Sequence, residues 1–200
     1  MLLRLFCIGS GPSPLRILVA GLDGSGKSST VDRLVNQHSS NSYRKVQNER
    51  ISSTHVREYH VSSLFNPCSL TVLDASDLPN FNTTIHQNFD GLIYLINTGD
   101  STEKVASSMH HLKQFLQCLE THALPVLIMH SCDWTILPLI SEPDIFDIVG
   151  VTDNSWWIRT REVKIVERND YTLAPAFKWL IKRSRRYHDY KARLGRPVRR

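Results

Sequence analysis

Apolar residues along this 200-residue chain fall into two alternating patterns. Short, nearly continuous apolar runs occur at 16–20, 69–73, 91–97 and 125–130, with more mixed runs at 55–61 and 156–161. Strands of a parallel sheet covered on both faces need such runs, because neither side of the strand meets water. Between the runs lie segments with an apolar residue every three or four positions: 28–37, 102–120, about 143–149, and from Ala174 onward. In the last of these, Phe177, Leu180 and Ile181 form an i, i+3, i+4 stripe, which puts Lys178, Lys182 and Arg183 on the outer face. Strand and helix alternate, so the expected fold class is α/β, with a mostly parallel sheet flanked by helices. The polar stretch 38–50 reads as a long mobile loop between the first helix and the second strand.

Between the first strand and the first helix stands GLDGSGKS, at 21–28. It fits G-x-x-x-x-G-K-[ST] in the strand-then-helix setting which that pattern requires. Gly21, Gly24 and Gly26 let the backbone wrap closely, so that successive N–H groups across Asp23, Ser25 and Ser29 can face an anion. Lys27 can reach the outer phosphates, and the Ser28 hydroxyl can ligate Mg²⁺. The expected ligand is a nucleoside polyphosphate with its magnesium ion.

Composition adds one qualification. With 41% apolar and 22% charged residues the chain suits one compact domain. The net charge of +5 is unevenly held, because 178–200 carries ten Lys/Arg against one acid, Asp189, and the rest of the chain is net −4. A mildly acidic body argues against a specific nucleic-acid binder. The basic tail points to a local contact with anionic membrane, an acidic partner or RNA. The expected helix carries Lys182, Arg183, Arg185 and Arg186 towards such a surface. Cys7, Cys68, Cys118 and Cys132 stand far apart, with no C-x-x-C pair and no histidine at metal-ligand spacing. Neither a zinc site nor a disulfide framework is expected, and a reducing, cytosolic setting is the simplest reading. Residues 1–8 are apolar apart from Arg4 but too short to span a bilayer; Leu2 excludes N-myristoylation, while Cys7 reads as a packed thiol or an acylation site.

LRILVAGLD at 15–23, with Gly26, Lys27 and Ser28, resembles the start of the ADP-ribosylation-factor-like (Arf/Arl) small GTPases, whose opening Gly-Leu-Asp is characteristic. LTVLD at 70–74 is similar to that family's second metal-side strand, and FDGLIYLIN at 89–97 to its central strand, with weaker matches at 142–151 and 156–159. The similarity covers about 15–185 in the family's order. It implies a P-loop NTPase fold with a small-GTPase-like six-stranded sheet, bound GTP or GDP with Mg²⁺, and effector or regulatory proteins as partners. It further implies a monomeric, cytoplasmic switch in membrane trafficking with peripheral membrane contact. The chain then divides into an N-terminal apolar segment at 1–14, the GTP-binding domain at 15–185 and the basic tail at 186–200.

Carried over residue by residue, the resemblance makes Asp74 the carboxylate that holds the Mg²⁺ shell through water. Ser53 or Thr54 falls where a hydroxyl completes that shell, although simple turn composition accounts for them equally well. After Asp74 the family places a Gly whose N–H meets the γ-phosphate and a Gln that orients the attacking water, where this chain has Asp77 and Leu78. Leu78 cannot orient water, and Asp77 brings a carboxylate towards a polyanion. Hydrolysis is therefore expected to be weak or absent, slower by about one to three orders of magnitude. Guanine is read in the family by Asn-Lys-x-Asp, which here is His130, Ser131, Cys132 and Asp133. Asp133 can accept from both N–H groups on the guanine edge; the missing lysine stem and His130 in place of an amide cost roughly 1 to 3 kcal/mol of binding. Two other readings stand beside this one. One is a pseudo-GTPase that keeps the fold as an interaction module. The other, a thymidylate-type kinase, is disfavoured because Asp32 and Arg33 fall on the first helix and no arginine cluster interrupts the middle of the chain.

Overall fold

The computed structural model describes residues 13–38, 45–46, 50–51, 54–55, 57–61, 68–72, 88–119, 124–132, 147, 157–164 and 173–194. The chain runs through β1 (Leu15–Gly21), α1 (Lys27–His38), β2 (Lys45–Val46), β3 (Arg50–Ile51), β4 (Thr54–His55), β5 (Arg57–Val61) and β6 (Cys68–Val72). It continues through β7 (Gly91–Asn97), α2 (Thr102–Leu119), β8 (Val126–Cys132), β9 (Ile158–Lys164) and α3 (Leu173–Leu194). Seven strands form one sheet in the order β2-β5-β6-β1-β7-β8-β9, and β3 and β4 pair separately. From β6 to β9 every neighbouring pair is parallel, whereas β5 and β2 join antiparallel at the edge. The fold is therefore α/β, with a parallel sheet flanked by helices.

Alternation along the strands assigns the two faces. Ile17 and Val19 of β1, Ile93 and Leu95 of β7, and Leu127 and Met129 of β8 pack with Val31 and Leu34 of α1 and with Phe177, Leu180 and Ile181 of α3. Leu18, Ala20, Leu92, Tyr94, Ile96, Val126 and Ile128 point the other way, onto Val105, Met109, Leu112, Phe115 and Leu116 of α2. Strands covered on both faces have no polar side, hence the continuous apolar runs; each fully buried Leu, Ile or Val contributes about 1.5–3 kcal/mol. Tyr94 also satisfies its hydroxyl, which donates to the Ser108 carbonyl of α2 at 3.0 Å. Cys68, buried on β6, is a free thiol pushed up to about 12 by burial, with the Arg185 charge opposing, so it stays protonated.

Helix α3 sits so close to β7 that a side chain at Gly91 has no room. A Cβ there would collide with the Ser184 hydroxyl and lie 3.1 Å from Ile17 Cδ1 and 3.3 Å from Leu180 Cδ1. Gly91→Ala should therefore destabilise the protein by about 1–3 kcal/mol. Adding Ser184→Gly should recover part of the loss, and a thermal-melt double-mutant cycle with no coupling would refute the contact.

At the edge where β1 and β7 begin, a polar knot ties α3 to the sheet. Asp90 N–H donates to the Arg16 carbonyl at 2.7 Å, and Asp90 Oδ2 accepts from the Arg16 N–H at 3.0 Å. Asp90 Oδ1 receives Lys191 Nζ at 2.8 Å and meets His188 Nδ1 at 3.1 Å. Lys191 also donates to the Phe89 carbonyl at 2.9 Å, and His188 Nε2 meets Ser13 Oγ at 2.9 Å.

Several sequence expectations change here. Among the described residues the sheet has seven strands rather than six, because the two-residue β2 adds a strand beside β5: Val46 pairs with Glu58 and Lys45 with Tyr59. The stretch read as a loop at 38–50 thus contains β2 and the start of β3. These two-residue strands are defined by main-chain pairing and are too short to leave an apolar run to read. The single strand expected at 55–61 splits, since His55 belongs to β4 and pairs with Arg50, whereas β5 begins at Arg57. The helix expected at 143–149 lies outside the described residues except for Asp147. Helix α3 passes position 186 without a break. Lys182 and Arg186 are exposed; Arg183 and Arg185 are half-buried, and Arg185 Nη1 donates to the Ser13 carbonyl at 2.8 Å. No helix among the described residues is long and apolar enough to cross a membrane.

Candidate phosphate-binding site

β1 lies between β6 and β7, parallel to both, and at its C-terminal end the chain turns into 22–26 before α1 begins at Lys27. Connections leave β1 and β7 at this same edge and return on opposite faces of the sheet, α1 on the face that α3 also covers and α2 on the other. In open α/β sheets such a divergence leaves a crevice at the strand ends, which is where ligands bind. Three glycines shape the loop. Gly24 and Gly26 adopt φ of +78° and +83°, a left-handed conformation that a Cβ disfavours. At Gly21 a Cβ would lie 2.5 Å from both the Leu95 carbonyl oxygen and Ser25 Oγ, so only glycine lets β1 turn this close to β7.

Hydrogen bonds hold the turn. Ser25 N–H donates to the Leu22 carbonyl at 3.1 Å, Gly24 N–H to Asp23 Oδ1 at 2.9 Å, and Thr30 N–H to the Gly26 carbonyl at 2.9 Å, which opens α1. Lys27 Nζ donates to the Gly21 carbonyl at 2.8 Å and the Leu22 carbonyl at 2.7 Å. The ammonium thereby ties the end of the loop to its beginning. The ammonium stands at the N-terminus of a helix whose dipole also favours an anion.

The sequence-predicted phosphate residues follow one another through this region: Gly21 ends β1, Asp23, Gly24, Ser25 and Gly26 lie in the turn, and Lys27, Ser28 and Ser29 are in the first turn of α1. Ser25 is buried, with its amide bound to Leu22 and its hydroxyl beside Gly21, so it shapes the loop from beneath. Ser28 is half-buried in the first turn of α1 and Ser29 is exposed. Mg²⁺ keeps most of its waters and takes one or two protein oxygens, which a hydroxyl at Ser28 fits. Of its other expected ligands, Thr54 opens β4, opposite Ile51, and Asp74 lies outside the described residues, as do Asp77 and Leu78. His130 is on β8, only 5% exposed and in register with Ile96 and Glu162. Asp133, one residue beyond β8, lies outside the described residues.

The motif did not indicate Lys104. It stands in the first turn of α2, with its ammonium against Gly24 and 3.3 Å from Asp100. Only the adjacency of β1 and β7 brings it there.

These features define a class: an α/β domain whose central parallel strand runs through a glycine-shaped, lysine-bearing turn into a helix. No protein-family model matches the chain, and no curated protein matches it.

Proposed function

We propose that this protein binds a guanine nucleotide with Mg²⁺ in the loop 21–28 and acts, as an Arf-like small GTPase, through partner proteins in membrane trafficking. The observation that carries the reading is the loop itself: left-handed glycines at 24 and 26, no space for a side chain at 21, and a lysine folded across the turn at the head of α1. Backbone N–H groups and Lys27 would hold the phosphates, and Ser28, Thr54 and Asp74 would hold the metal. The ion would neutralise phosphate charge. Asp133 would select guanine, because adenine presents an acceptor where guanine presents a donor. With Leu78 where a water-orienting amide would act, the bound triphosphate would persist. The protein would behave as a long-lived bound state more than as a turnover enzyme.

The test is to denature freshly purified protein and to identify and count the released nucleotide by chromatography, before and after incubation with Mg²⁺ and GTP or ATP. Near-stoichiometric GTP or GDP is the expected result. Release of ATP would keep the phosphate site and overturn the guanine assignment. A loop that neither nucleotide fills would favour the second reading, an interaction module that has kept the fold. That reading is motivated by Asp77 and Leu78 and by the buried His130 in place of an amide.

A further inference from the structure

We infer that Lys104 is a second cationic contact for the outermost phosphate of a nucleoside triphosphate, and that it sets the preference for triphosphate over diphosphate. This rests on the reading that the loop 21–28 binds a nucleoside polyphosphate. β1 and β7 are parallel neighbours with Gly21 opposite Leu95, so the chain leaving β7 emerges beside the phosphate loop. Its turn is held in place: Asn97 Oδ1 accepts from the Gly99 N–H at 3.1 Å and the Asn97 carbonyl from the Asp100 N–H at 3.3 Å. The Ser101 carbonyl then accepts from the Val105 N–H at 3.0 Å, which starts α2. Val105 is buried in the core, so the first turn of α2 cannot slide, and Lys104 is carried to the rim of the loop. There Nζ lies 3.1 Å from the point a Cβ on Gly24 would occupy.

What the ammonium does there follows from its partner. Its ion pair with Asp100 spans 3.3 Å, with the two side chains 43% and 28% exposed. Pairs of that exposure are individually weak, since water competes for both charges. A terminal phosphate carries more charge than one carboxylate, and transfer of Lys104 from Asp100 to the phosphate needs only side-chain rotation. Lys27 holds the loop from within while Lys104 stands outside it, so the two cations would meet different oxygens. A diphosphate, which ends one phosphoryl group earlier, would lose the outer contact and keep the inner one.

Full-length wild type, Lys104→Gln and Asp100→Asn are titrated with Mg·GTP and Mg·GDP, and their thermal stability is measured without ligand. Lys104→Gln should weaken GTP on the order of tenfold, as expected for one charge-assisted hydrogen bond, and GDP less than about twofold. Asp100→Asn should leave GTP affinity unchanged or raise it by about twofold to threefold, because the competing carboxylate is gone. The opposed signs separate ligand contact from bracing: if both variants weaken GTP alike and melt earlier alike, the pair merely supports the turn and the inference is overturned. Equal effects of Lys104→Gln on GTP and GDP, or none, also overturn it while nucleotide binding stands. If wild type binds neither Mg·GTP nor Mg·GDP, the reading and the inference fall together.

Discussion

Lys27→Ala should abolish the thermal stabilisation that Mg·GTP confers on the wild-type protein. In the free protein, Nζ gives hydrogen bonds to the Gly21 and Leu22 carbonyls at 2.8 and 2.7 Å; Gly21 is buried at the end of β1, whereas Leu22 is half-buried in the loop, where water can take the place of the ammonium. The unliganded variant should therefore melt within a few degrees of wild type. With nucleotide the difference is large, because the deleted group supplies charge-assisted bonds to phosphate worth about 1.5–3 kcal/mol each. Two such bonds correspond to a loss of affinity on the order of 10²- to 10⁴-fold, enough to remove a shift that grows only as RT ln(1 + [L]/Kd). Scanning calorimetry with and without saturating Mg·GTP reads both quantities. An undiminished ligand shift in the variant would show that the nucleotide binds elsewhere.

The second large effect is on stability, at Asp90. This carboxylate is 3% exposed, and Lys191, His188 and the Arg16 amide converge on it. Asp90→Ala would take the carboxylate away from the Arg16 N–H and from the half-buried Lys191 ammonium, which would keep its bond to the neutral Phe89 carbonyl. Removing one partner of a buried ion pair costs about 3–5 kcal/mol, less here because Lys191 is 27% exposed and retains some access to water. A loss of about 3 kcal/mol corresponds to a Tm lower by roughly 6–12 °C for a chain of this size. Asp90→Asn keeps the shape and should cost less.

The same group gives a pH dependence with a definite sign. Burial pushes the Asp90 carboxyl up, but hydrogen bonds from Lys191, the Arg16 N–H and His188, with the Lys191 charge, outweigh it and hold the group below the ordinary value of 3.8. A carboxyl lowered in the folded state contributes stability that is fully present above its unfolded value and is lost as pH falls through the folded one. Stability of wild type should therefore decline below about pH 4 more steeply than that of Asp90→Asn. Denaturant melts between about pH 2 and 6 measure it, and parallel curves would mean that the knot contributes nothing through charge.

Some of this was legible in the residues. The strand read at 91–97 has the bounds of β7, Gly91–Asn97, because six consecutive apolar or small residues between Asp90 and Asn97 have few ways to be buried. The helix read at 28–37 is one residue shorter at each end than α1, and the one read at 102–120 starts with α2 and runs one residue past Leu119, since their i, i+3, i+4 spacing reports one buried face. The phosphate loop was legible for another reason: its glycines are demanded by local backbone conformation, which a short motif records completely. β2 and the division of β4 from β5 were not legible, because Lys45, Arg50, Thr54 and Arg57 carry no apolar signal and are held by main-chain pairing.

The sequence by itself determined which segments must be buried and where the backbone must turn through glycine, and so the α/β class and the anion-binding loop. Periodicity reports how each segment meets solvent and says nothing about which segments are neighbours. Strand order was therefore settled only in the folded chain, and with it the contacts that depend on that order: Lys104 beside Gly24, Ser184 against Gly91, and His188 and Lys191 on Asp90, some 100 residues away in sequence.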